Sequence, residues 1–275
     1  MTDLIFLPPL REVIAQYALR ARKSLGQHFL CDLNLTRRIV ETAGDLAGCA
    51  VFEVGAGPGG LTRALAESEA AHVFAIEKDP RFIAALEEIV AASQGKVKLI
   101  AGDALKIDLT SLAPAPRAIV SNLPYNVGTE LLLGWLKQIN QFRSLTLMFQ
   151  AEVVDRLCAN PGSKAYGRLS VITQFCCDVR RVLDVPAEAF TPPPKVDSAV
   201  VHLTLRANRP SDVPFAAVEK VTACAFGQRR KMLRSSLKAL GGEALLKRAR
   251  IDPTRRGETL SLIEFETLAR LVSQA

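Results

Sequence analysis

Short apolar runs alternate along the chain with longer stretches whose apolar positions recur every three or four residues. The runs at 50–54, 72–76, 97–101, 117–121 and 144–150 have strand length. Between them, 61–66, 80–92 and 129–139 carry helical spacing, with Pro80 at a helix start, where its missing N–H does no harm. Strands separated by helices of this length predict right-handed crossovers and a mostly parallel α/β sheet, doubly wound with helices on both faces. Upstream, 10–21 reads as a helix, and Asp32 as the N-cap of a helix to about residue 43. Downstream come a helix after Glu152, a loop at 160–167 and a helix from Leu169. Two β-rich segments, 179–185 and 198–205, flank a Pro-rich loop and are expected to pair as a hairpin at the sheet edge. Pro, Ser, Asn and Asp cluster at 207–214, which sets a boundary between a domain at 1–206 and a small all-helical domain at 207–275. The latter is expected to hold helices at 215–226, 229–240, 242–250 and 261–272.

Composition adds further constraints. With 275 residues, 49% of them hydrophobic, the chain can bury one substantial core and a small second one. No apolar run reaches the roughly 18 residues of a membrane helix. The first nine residues lack the basic and apolar regions of a secretory signal, so a cytoplasmic location is expected. Six cysteines without CxxC spacing or paired histidines predict reduced thiols and no metal site. The net charge of +7 is concentrated. Between Phe226 and Arg256 lie Arg229, Arg230, Lys231, Arg234, Lys238, Lys247, Arg248, Arg250, Arg255 and Arg256, opposed by Glu243 and Asp252. So one-sided a segment points to phosphate contacts.

Three motifs carry chemistry. Glu53-Val54-Gly55-Ala56-Gly57-Pro58-Gly59-Gly60 follows the first sheet strand and opens a helix, with Glu77 ending the next strand. Glycines there let a ligand approach the backbone, and the carboxylate can accept both hydroxyls of a ribose. A dinucleotide would fit as well as any other nucleoside cofactor. Asp103, in Gly102-Asp103-Ala104 after the third strand, can accept from an adenine amino group or simply make a turn. Asn122-Leu123-Pro124-Tyr125 follows the fourth strand, where such a sheet presents its reactive edge. The lone pair of adenine N6 is delocalised into the ring, which makes it a poor nucleophile. Two acceptors on its hydrogens, the Asn122 side-chain carbonyl and the Leu123 backbone carbonyl, would favour pyramidalisation. Pro124 fixes the turn that aims them, and Tyr125 offers a face on which an extruded base can stack. A nicotinamide-dependent oxidoreductase would leave 122–125 without a role. His72 and His202 lie in strand patterns and read as structural.

This tetrapeptide resembles the (N/D/S)-P-P-(Y/F) signature of amino-methyltransferases. As Asn122-Leu123-Pro124-Tyr125-Asn126 it resembles the KsgA/RsmA family of small-subunit (16S) ribosomal RNA adenine dimethyltransferases. Three further segments are similar to that family: Lys23 to Leu30 (KSLGQHFL), Gln150 to Val153 (QAEV) and Phe190 to Ala199 (FTPPPKVDSA). The resemblance implies a Rossmann-like class I methyltransferase sheet and S-adenosylmethionine as cofactor, bound by His28, Leu30, Gly55, Gly57, Glu77, Asp103 and Asn122. It implies catalysis by Asn122, Leu123, Pro124 and Tyr125, with Phe190 completing a sandwich around the target base. RNA would be met by Lys195, Arg229, Arg230, Lys231 and Arg234, the run at 227–234 forming a helix packed on one face and laid on phosphates with the other. The implied reaction dimethylates two adjacent adenosines near the 3′ end of 16S rRNA, by a monomer acting on the assembling 30S particle. Many members carry Asn where this chain has His28, a change that matters only if the side chain makes the contact. Large-subunit adenine methyltransferases of macrolide resistance typically carry Asn-Ile-Pro-Tyr and lack the triple proline, so the Pro-rich loop favours the small-subunit enzyme. An assembly factor acting mainly by RNA occupancy would need the same surface and remains open.

Overall fold

The computed structural model describes residues 3–21, 26–228 and 230–274. In chain order the elements are α1 (Leu10–Gln16), β1 (Phe29–Leu30), α2 (Leu33–Glu41), β2 (Ala50–Val54), α3 (Gly60–Glu67), β3 (His72–Glu77), α4 (Ile83–Ala92) and β4 (Val97–Ala101). They continue with β5 (Arg117–Asn122), α5 (Gly128–Lys137), β6 (Ser144–Gln150), α6 (Ala151–Leu157), α7 (Arg168–Cys176), β7 (Cys177–Val185), β8 (Phe190–Thr191) and β9 (Ser198–Leu205). The chain ends with α8 (Phe215–Gly227), α9 (Leu233–Ser236), α10 (Gly242–Ala249) and α11 (Leu262–Ser273).

The main sheet runs in the order β4-β3-β2-β5-β6-β9-β7. Strands β2 to β6 pair in parallel, and β9 joins β6 antiparallel. This is the doubly wound architecture expected from the alternating pattern. The five residues of β2 are all buried, as befits a central parallel strand covered on both faces. The order reverses between β2 and β5, so their carboxyl ends splay apart into the crevice where such sheets bind ligands. As expected, 179–185 and 198–205 become neighbouring strands at one edge of the sheet, β7 outermost and β9 between it and β6. The Asp32 carboxylate caps α2, accepting from Asn34 N at 2.8 Å.

The chain divides into two compact units, Met1–Val154 with Arg180–Thr204, and Asp155–Val179 with Leu205–Ala275. The linear pattern suggests a single boundary after 206. By contacts, α6, apart from its first turn, and α7 group instead with the C-terminal helices. Within this second unit Phe226 stacks on Phe265 (5.6 Å, 25°) and meets the edge of Tyr166. Among the described residues no helix is long and apolar enough to cross a membrane.

Two expected helices are shorter than the pattern implies. The first ends at Gln16 because Ala18 adopts φ 48° and Leu19 N–H turns back to Ile14 O at 2.9 Å. The helix expected over 229–240 is a correction: α9 begins only at Leu233, and a 3-10 turn follows at Lys238–Leu240. The Leu233 and Arg234 N–H groups donate to Arg255 O (2.7 Å) and Pro253 O (3.1 Å), so they cannot close a helical turn over the preceding basic residues.

Candidate active site

A cavity of about 320 Å³ opens at the carboxyl ends of β2, β3 and β5, at the strand-order reversal. Its volume lies within the range of small-molecule sites. The Gly-rich loop between β2 and α3 forms one wall. Gly55 holds φ +76°, and a Cβ there would stand 3.2 Å from the Pro124 ring, so a side chain would strain the backbone and crowd the 122–125 turn. At Gly60 a Cβ would fall 2.5 Å from Leu30 O, which explains how β1 comes so close to the start of α3. Glu77, the last residue of β3, is buried, and its two carboxylate oxygens accept from Gly57 N (2.8 Å) and Asp79 N (2.7 Å). Burial pushes its carboxyl above the usual range, while these backbone N–H groups pull the other way. The backbone thus aims Glu77 along the cavity wall, and each oxygen keeps a lone pair for a ligand.

Asn122 ends β5, and the turn Leu123 to Tyr125 continues along the same wall. Pro124 O accepts from Val127 N (3.2 Å) and Gly128 N (3.0 Å), which starts α5. Among the described residues the Asn122 side-chain amide and the Leu123 carbonyl make no hydrogen bond. Tyr125 is anchored at its far end, its hydroxyl 2.7 Å from Ser198 Oγ. Burial raises the Tyr125 phenol, so it stays protonated.

The N-terminal motif and the Pro-rich loop, far apart in sequence, are joined by a second sheet. Strand β1 pairs antiparallel with β8, Leu30 opposite Phe190 and Phe29 opposite Thr191. His28 and Leu30 thereby reach the cavity. Phe190 does not line it: the ring is 2% exposed and packs in the core. Asp103 does line it, and its carboxylate is engaged by Lys78 Nζ at 2.7 Å and Leu105 N at 3.1 Å, which hold it below the usual carboxylate range. Of the residues assigned to RNA, Lys195, Arg230, Lys231 and Arg234 are exposed, and the last three carry no carboxylate partner among the described residues. Arg229 lies outside the described residues, as do Lys23 to Leu25 of the N-terminal motif.

Three features at or beside the wall have no role assigned in the sequence reading. Glu53 is fully buried, receives the Thr62 hydroxyl at 2.6 Å, and is pushed by burial up to about 8. Gln27 donates to Asp79 at 3.1 Å, and Arg81 pairs with Asp79 and also reaches Gln27 Oε1 (3.1 Å). The Arg81 hydrogen bonds hold Asp79 at about 2. Ser198, which steadies Tyr125, is visible in the sequence only as the last polar position of the Pro-rich motif. Its partner lies 73 residues away, and no local spacing signals such a pair.

The chain is similar to known proteins along nearly its whole length. The profile of the family described as ribosomal RNA adenine dimethylase matches residues 18–272. The chain is 58% identical to "Ribosomal RNA small subunit methyltransferase A" of Paramagnetospirillum magneticum, over 96% of this chain and 94% of that protein. It is 54% identical to the protein of the same name from Gluconobacter oxydans, over 97% and 88% of the two chains. Among solved structures, a dimethyladenosine transferase from Plasmodium falciparum superposes with a TM-score of 0.73 at 24% identity, covering 88% of this chain and 96% of its own. The 23S rRNA methyltransferase ErmE gives 0.68 at 26% identity, over 90% and 100%.

Proposed function

The chain belongs to the ribosomal RNA adenine dimethylase family, and from that premise we propose that it acts in the cytoplasm, as a monomer, on two adjacent adenosines near the 3′ end of 16S rRNA in the assembling small subunit. It is an S-adenosylmethionine-dependent rRNA adenine dimethyltransferase.

The cavity suits that cofactor. Glu77 would hold the ribose diol, the loop from Gly55 to Pro58 would lie along the nucleoside, and Asp103 would take the adenine amino group in competition with Lys78. His28 and Leu30 would close the site from β1. When bound, S-adenosylmethionine supplies a methyl group on a sulfonium, which leaves as a neutral thioether.

The chain's own work is positioning. The Asn122 side-chain carbonyl and the Leu123 carbonyl accept the two N6 hydrogens of the target adenine and turn its lone pair out of the ring plane. After the first transfer one hydrogen remains, and one of the same acceptors orients it for the second. The excess proton on nitrogen passes to solvent, since the methylated ammonium is a strong acid and needs no dedicated base. Tyr125 stacks on the extruded base, with Phe190 behind the site. Lys195, Arg229, Arg230, Lys231 and Arg234 meet phosphates and carry no base information.

One observation carries this reading: two acceptors with no protein partner among the described residues stand at the end of β5, on the same cavity wall as a ribose-directed carboxylate. The purified protein, given labelled S-adenosylmethionine with small- or large-subunit rRNA particles, should form N6,N6-dimethyladenosine in the small-subunit RNA. Label in large-subunit RNA, or on another base, would refute the assignment.

A further inference from the structure

We propose that Arg81 is a positioning residue for cofactor binding: it fastens the chain before β1 to the turn between β3 and α4, and so keeps Gly26 to Leu30 seated on the cavity. The inference rests on the reading of this cavity as the S-adenosylmethionine site.

Arg81 does not itself line the cavity, whereas Asp79, Pro80 and Gly26 to Leu30 do. Its guanidinium spreads its hydrogens over three partners. Nε donates to Asp79 Oδ1 at 2.9 Å, and Nη2 donates to the same carboxylate. Nη2 also donates to Gln27 Oε1 at 3.1 Å, and Nη1 to Arg20 O at 2.8 Å. Gln27 Nε2 donates in turn to Asp79 Oδ2 at 3.1 Å, which closes a triangle of side chains. That triangle fixes the amide: turned over, its NH2 would face the guanidinium and its oxygen the carboxylate. The Asp79 side chain is 5% exposed and is held at about 2, chiefly by the Arg81 hydrogen bonds, so it stays charged.

Two sides of the triangle reach the cofactor wall. Asp79 N–H donates at 2.7 Å to Glu77, the carboxylate that faces a ribose diol. Gly26, next to Gln27, holds φ +64° and lies so near the end of β5 that a Cβ would stand 3.2 Å from Tyr125 N. Strand β1 pairs over only two residues, so it holds this segment weakly by itself. Phe29 meets the edge of Phe82 (5.6 Å, 85°), and the Arg81 guanidinium lies over the Phe82 ring at 5.4 Å. One side chain thus holds the segment at Arg20, at Gln27 and, through Phe82, at Phe29. A segment already seated costs the cofactor no ordering when it binds. Lysine matches the charge of Arg81 but carries its donors on one atom and cannot span these partners.

The test uses the full-length protein, with S-adenosylmethionine affinity measured by calorimetry below the melting transition and KM and kcat measured on small-subunit particles. Arg81→Gln should weaken cofactor affinity roughly tenfold, the scale of the hydrogen bonds lost to Arg20 and Gln27. Saturating cofactor should restore kcat to within about twofold, because Arg81 touches no reacting atom. Arg81→Lys keeps a cation beside the buried Asp79 and so secures the fold, yet should lose most of the same affinity. Gln27→Ala should also weaken affinity, and Arg81→Gln added to it should cost clearly less than it does alone, since the two act through one contact. Unchanged cofactor affinity in both Arg81 variants would overturn the proposal. So would full recovery by Arg81→Lys, which would make charge alone the cause, or losses that simply add in the double variant. A fall in kcat at unchanged affinity would overturn it too, by placing Arg81 in the chemistry. Each of these leaves the methyltransferase reading intact. That reading fails only if the unaltered protein binds no S-adenosylmethionine or forms no dimethyladenosine, and the proposal then falls with it.

Discussion

Glu77 and Glu53 show how one chemical group takes opposite tasks on neighbouring strands. Glu77 ends its strand with both oxygens held by backbone N–H groups, a geometry that presents the remaining lone pairs to a diol. Glu77→Ala should weaken S-adenosylmethionine binding tenfold to a hundredfold, roughly 1.5–3 kcal/mol for a lost charged acceptor. Calorimetry on the folded variant checks this, and unchanged affinity would remove Glu77 from the site. Glu53, one strand over, is a buried carboxyl raised from 4.5 to about 8. Its proton is retained on folding while the unfolded chain loses it. Its contribution is therefore fully present below about pH 4.5 and is lost as pH rises through about 8. In Glu53→Gln the melting temperature should fall less between these limits than in the unaltered protein; parallel curves would show that Glu53 ionises normally. Glu77 and Asn122 are legible as functional in the sequence because each sits at a strand end beside a turn motif. Glu53 is not, because burial, not spacing, sets its protonation.

Elements built from local periodicity are legible; those built from distant pairing are not. The strands β2 to β6 and the helices between them follow from apolar runs and helical spacing, and their parallel pairing from the crossovers that join them. The sheet of β1 and β8 has two residues on each side and joins segments some 160 residues apart, so no window of sequence contains its pattern. Yet it carries His28 and Leu30 to the cavity. Its closeness to α3 depends on Gly60, where a Cβ would meet Leu30 O at 2.5 Å. Gly60→Ala should displace β1, costing about 1–3 kcal/mol in stability and several-fold in cofactor affinity. A variant with unaltered melting and cofactor binding would mean that β1 does not close the site. The expected helix over 229–240 fails for the same kind of reason: residues 253 and 255 claim the N–H groups that its first turn requires.

The molecule as a whole joins a cofactor-binding α/β unit to a helical unit rich in exposed positive charge. Charge reversal at Arg230, Lys231 and Arg234 should weaken RNA binding across all sequences. It should also flatten the salt dependence of binding by about one slope unit for each phosphate no longer neutralised. Binding titrations at several salt concentrations read this out, with cofactor affinity as the unaffected control. An unchanged slope would return these residues to ordinary surface charge. The central claim, that the turn from Asn122 to Tyr125 orients N6 of adenine in small-subunit rRNA, is tested most directly in cells. Mass spectrometry of 16S rRNA from a strain lacking the protein should show two unmodified adjacent adenosines near the 3′ end. Re-expression of the unaltered chain should restore N6,N6-dimethyladenosine at both, and Asn122→Ala, expressed at equal level, should restore neither. Full restoration by Asn122→Ala, or intact dimethylation without the protein, would contradict the account.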